Sequence, residues 1–128
     1  MKILRTCLLA LIATIAGQGI VFVEPAVAGP EFGFNTHRTR LPYNYCMQDA
    51  RRTVHELGLK IFVDVPYGLA FSNKDISASI ICTFLPGAGP CAGTDGAVVT
   101  FTVAGPGAVA MLDRLVSTFG DGVLFDCG

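Results

Sequence analysis

Residues 76–84, Ile-Ser-Ala-Ser-Ile-Ile-Cys-Thr-Phe, decide the fold. Ile76, Ala78, Ile80, Cys82 and Phe84 fall on one side of an extended chain, and Ser77, Ser79, Ile81 and Thr83 on the other. A two-residue period with one apolar face is that of a half-buried antiparallel strand. The neighbouring segments carry the same signal. Residues 97–103 alternate Val99, Phe101 and Val103 against Val98, Thr100 and Thr102. Upstream, Ile61 to Val65 is β-rich and ends at the turn Pro66-Tyr67-Gly68. Leu69 to Phe71 ends at a second turn cluster, Ser72 to Asp75.

Two helices bracket these strands. Asn44 is placed to cap a helix over Tyr45 to Leu57, with Met47, Ala50, Val54 and Leu57 on one face and Gly58 at its exit. Pro106 suits the first turn of a second helix reaching Phe119, with Ala108, Leu112, Leu115 and Phe119 on one face beside Val109 and Val116. Val123 to Phe125 adds a short last strand. The expected fold is therefore α+β: an antiparallel four- to five-stranded sheet with two helices packed on one face, in the order α-β-β-β-β-α-(β). Residues 29–43 read as an irregular lead-in without periodicity, anchored by Phe32 and Phe34, and residues 44–128 as a single small domain.

The first 28 residues read as an address. Lys2 and Arg5 open the chain, an apolar stretch runs from Cys7 to Val23, and Pro25 precedes Ala26-Val27-Ala28. This is the layout of a secretory signal peptide with cleavage expected between Ala28 and Gly29. The competing reading is a retained membrane anchor, against which stand the short run and its central polar residues. Lipidation at Cys7 is rejected, because that cysteine precedes the apolar core. The expected localisation is periplasmic or secreted.

Cleavage leaves 100 residues, with seven cationic side chains against nine anionic ones and a net charge of −2. That balance argues against a nucleic-acid partner. Cys46, Cys82, Cys91 and Cys127 remain, an even number with no C-x-x-C or Cys/His spacing, which reads as two disulfides rather than a zinc site. The first strand runs back along the first helix, and Pro66-Tyr67-Gly68 then reverses the chain. Cys82, late in the third strand, thus arrives at the end of the sheet where Cys46 lies. The expected pairing is Cys46–Cys82, with Cys91–Cys127 by elimination.

Catalytic signatures are weak. The loop Gly87 to Gly93 lacks the lysine of a phosphate-binding loop and leads into a strand, so it reads as a flexible connector. His37 and His55 are far apart in sequence and read as solvated. Asp64 with Asp75, or Asp121 with Asp126, are candidate carboxylate pairs that turn and surface aspartates explain equally well. Arg38, Arg40, Arg51 and Arg52 form the one basic concentration, diluted by Asp49 and Glu56. No cofactor or metal is expected. The chain reads as a non-catalytic binding or accessory protein of the cell envelope, facing a protein, polymer or small molecule. The candidate partner contacts are Tyr43, Tyr45, Tyr67, Phe32 and Phe34. A small secreted hydrolase with a dispersed site and a membrane-tethered accessory protein are the alternatives; membrane contact is expected only if the leader is retained.

Overall fold

A computed structural model describes residues 31–120 and Cys127. Five strands, β1 (Phe32–Arg38), β2 (Lys60–Val65), β3 (Gly68–Ser72), β4 (Ser77–Leu85) and β5 (Gly96–Ala104), form one sheet in the order β1-β5-β4-β3-β2. Every pairing is antiparallel. Two helices, α1 (Tyr43–Glu56) and α2 (Ala108–Thr118), cover one face. The fold is α+β, in the order β-α-β-β-β-β-α.

The alternation carries directly into burial. Ala78, Ile80 and Cys82 of β4 and Ala97, Val99, Phe101 and Val103 of β5 are buried against the helices. Met47, Ala50 and Val54 of α1 face them, as do Ala108, Met111 and Leu115 of α2. Val109, expected beside the core stripe, is exposed, and Met111 occupies the inward position. Phe84 is half exposed, because β4 outruns the helix there; its ring meets Tyr43 edge-on at 5.0 Å.

The helix ends follow local chemistry. Gly58 at φ +68° closes α1: its N–H donates to the His55 carbonyl while the Leu59 N–H donates to that of Val54. This is the paired bonding of a Schellman exit. At the other end α1 begins two residues earlier than the Asn44 cap implies, after Pro42, with no side-chain cap. The α2 N-terminus is capped from a distance, where the Glu31 carboxylate accepts the N–H groups of Gly107 and Ala108. A negative charge there also complements the helix dipole.

The described part of segment 29–43 is not an irregular lead-in. Its residues 32–38 form β1, the fifth strand, paired with β5 from Phe32↔Ala104 to Arg38↔Val98. The alternation is inverted there: small or polar Gly33, Asn35 and His37 face the helices, and Phe32, Phe34, Thr36 and Arg38 face away. A glycine suits the close approach of α2. A Cβ at position 33 would sit 3.0 Å from the Leu112 side chain. The last strand expected over Val123 to Phe125, and the Ala28–Gly29 junction, lie outside the described residues.

The disulfides pair as expected. Cys46–Cys82 ties the start of α1 to β4 inside the core, and Cys91–Cys127 ties the β4–β5 loop to the C-terminal end. Cys46 and Cys82 are fully buried, whereas Cys127 is exposed. The α-layer is further locked by Asp49, only 2% exposed. Its carboxylate accepts the Arg52 Nε at 2.6 Å and the Gly120 N–H, while Arg52 also reaches Glu56 and the Thr118 carbonyl. A buried carboxylate thus fastens the end of α2 to α1.

Candidate functional site: the uncovered sheet face

The helices occupy one side of the sheet and, among the described residues, no element covers the other. Strand register fixes what that face presents. One cross-strand row reads Val65, Gly68, Ile81, Thr100 and Thr36 from β2 to β1, and the next reads Val63, Ala70, Ser79, Thr102 and Phe34. A third row reads Lys60, Ser72, Ser77, Ala104 and Phe32. Beyond the first row lie Thr83, Val98 and Arg38, with Tyr67 in the β2–β3 turn alongside, its carbonyl accepting the Cys82 N–H at 2.9 Å.

Ile81, Val63, Phe34, Phe32 and Tyr67 are large apolar side chains exposed on this face, the last two by 63% and 60%. Its hydroxyls are turned on one another. Thr36 and Thr100 share a 3.0 Å hydrogen bond, and Ser79 bonds Thr102. Hydroxyls paired across strands have part of their hydrogen-bonding capacity filled and lose less when water leaves. A groove of about 180 Å³ with almost entirely apolar walls runs between Val63, Val65, Tyr67, Ala70 and Ile81. The rows contain no carboxylate, and their only charges, Arg38 and Lys60, stand at opposite corners.

The five aromatics expected to meet a partner are not brought together. Phe32, Phe34 and Tyr67 belong to the uncovered face. Tyr43 is half-buried against Phe84. Tyr45 borders a shallow cleft of about 400 Å³ with Pro42, Gly93, Thr94 and Asp95. Val63 and Val65 were missed as contact residues, because each looks like core until register shows which side it faces; Ile81 falls on the hydroxyl side of its strand, where a lone aliphatic gives no sign of an apolar face. No known protein family, curated protein or solved structure matches this chain. The geometry alone therefore carries the functional reading.

The other candidates resolve into structural roles. His37 is half-buried rather than solvated: its ring stacks on Phe101 at 5.8 Å and Nδ1 bonds the Asn35 side chain at 2.8 Å. His55 is exposed on α1. Asp64 does not meet Asp75; it takes a bidentate bond from Arg51, whose guanidinium holds the Asp64 carboxyl below its ordinary range while Asp64 raises Arg51. Arg52 is likewise held by Asp49 and raised by that bond. Of the four expected cations, only Arg38 and Arg40 share an open cleft, of about 450 Å³, with Pro90 and Cys127. Asp121 and Asp126 lie outside the described residues. Within those residues no three His, Cys, Asp or Glu side chains cluster as metal ligands.

The loop 86–95 is more ordered than a flexible connector. The Gly89 N–H donates to the Thr94 carbonyl at 2.8 Å, and the Gly87 N–H to the Asp95 carboxylate at 2.9 Å. Arg38 donates to the Ala88 carbonyl, and the Cys91–Cys127 bond adds a covalent tie. No helix among the described residues is long and apolar enough to cross a membrane.

Proposed function

We propose that this chain is a small exported accessory protein of the cell envelope or its exterior, which acts by docking through the uncovered sheet face rather than by catalysis. The observation that carries this reading is the composition of that face: exposed Phe32, Phe34, Tyr67, Val63 and Ile81 around mutually bonded hydroxyls, with no carboxylate. Contiguous apolar surface with aromatic anchors is a feature of interaction sites. Two disulfides and the leader layout of residues 1–28 support an oxidising destination.

Two measurements test the proposal. Intact mass of the chain from its native compartment is expected to lack residues 1–28 and to show no alkylation until reductant is added. A photo-reactive benzophenone amino acid at position 81 is expected to give a discrete cross-linked adduct in that compartment. The same group at exposed Val109, on the helical side, is expected to give none. Reduced thiols, or an absence of adducts from position 81, overturn the reading.

A further inference from the structure

We infer that the partner of the uncovered face is a second copy of this chain, docked sheet to sheet about a twofold axis parallel to the strands. The inference rests on the docking reading above and commits it to one occupant. Along one edge β1 carries Arg38 at one end and Phe32 at the other. On the opposite edge β2 carries Lys60 at the Phe32 end, while Tyr67 stands toward the Arg38 end, its backbone continuing the β3 column beside Cys82. Lys60 and Phe32 therefore stand at the two ends of one cross-strand row.

A twofold between two facing sheets, running along the strands, exchanges the β1 and β2 edges. It sets each Lys60 over the partner's Phe32 and brings each Tyr67 over the partner's β5, one strand in from Arg38. Lys60 and Phe32 are cation–π partners, and no like charges meet. A twofold across the strands also avoids like charges, but the axis along them gives the better fit of shapes. It brings Ile81 of the central strand β4 against its own symmetry mate and sets Thr100 and Thr102 over Gly68 and Ala70, bulk over small. Phe34 then meets Val63 and Thr36 meets Val65. Facing sheets stack about 10 Å apart with their strands roughly aligned.

The area is sufficient. Five strands about 4.8 Å apart and four side-chain rows about 6.8 Å apart span on the order of 19 by 20 Å between centres, and about 24 by 27 Å with the half-spacing beyond each outer strand and row. Two such faces together bury on the order of 1,000 Å², where specific but reversible interfaces begin. The expected assembly is a dimer of four layers, helices outside and two sheets within.

Sedimentation equilibrium of the chain purified from its native compartment tests this. Dimer mass is expected at high concentration, falling to monomer mass on dilution. Ile81→Glu, which sets two carboxylates together at the axis, is expected to raise the dissociation constant at least tenfold, and Lys60→Ala severalfold. Val109→Glu is expected to leave it unchanged. Lys60 is an exposed corner residue, so its variant reports even if Ile81→Glu misfolds. A monomer up to about 1 mM, or a dimer indifferent to both face substitutions, overturns the inference. In either case a position-81 adduct whose added mass is not that of this chain leaves the docking reading intact. An absence of any adduct removes both.

Discussion

Replacing both Cys46 and Cys82 by alanine separates the two ways in which a disulfide stabilises this fold. The bond spans 36 residues. Removing a cross-link of that length releases unfolded-chain entropy equivalent to about 4 kcal/mol at 25 °C. Cys91–Cys127 also spans 36 residues, so the chain term is the same for both bonds. Their surroundings differ. Cys46 and Cys82 are 0% and 1% exposed among Val54, Ile80 and Val99 of the core, and deleting their sulfurs leaves two voids. Each void costs on the order of 1 kcal/mol. The Cys46→Ala/Cys82→Ala variant should therefore lose about 5–6 kcal/mol, against no more than about 4 for Cys91→Ala/Cys127→Ala. For a domain of this size the first loss rivals the whole net stability. Urea unfolding at 25 °C, with intact mass confirming the remaining bond, measures both. A loss below about 2 kcal/mol for the core pair, or one no larger than for the exposed pair, would refute the reasoning.

Three further outcomes follow from single residues. Asp49→Ala takes away one of the three partners of the half-buried Arg52 guanidinium and leaves the Gly120 N–H unpaired, and should cost about 1–3 kcal/mol in the same unfolding experiment. Gly105→Ala meets a backbone at φ +122° and a carbonyl of Asp75 only 2.3 Å from the new Cβ; a loss of at least about 2 kcal/mol is expected. The Asp64 carboxyl is held below its ordinary value of 3.8 by Arg51. Its contribution is present in full above that value and is lost as pH falls through the lowered folded-state value. Asp64→Asn should therefore flatten the acid limb of a stability–pH curve below about pH 4 and slightly lower the plateau above it.

Much of the architecture was legible because alternation and burial coincide. Ile80, Cys82, Val99, Phe101 and Val103 are where a two-residue period puts them, and Gly58 closes α1 through its positive φ. The disulfide pairing was legible too, since the reversal at Pro66-Tyr67-Gly68 fixes which end of the sheet Cys82 reaches. β1 was not legible. Its inward positions are Gly33, Asn35 and His37, chosen for close approach to α2 and for packing on Phe101, so the sequence shows no apolar face.

The candidate site was half legible for the same reason. Phe32, Phe34 and Tyr67 stood out as aromatics outside any core pattern. Val63 and Val65 were hidden, because an exposed aliphatic in a strand looks like core until its cross-strand neighbours are known, and Ile81, though on the hydroxyl side of its strand, does not by itself reveal an apolar face. Tyr43 and Tyr45 were drawn in by residue type alone, and α1 carries them away from the uncovered face.

The most direct test is an isotope-filtered NMR experiment on an equimolar mixture of labelled and unlabelled chain. Methyl contacts between copies are expected from Ile81, Val63 and Val65, with the Ile81 methyls meeting their own counterparts. Intermolecular contacts confined to Val109 and the helical side, or none at all at high concentration, would contradict the account.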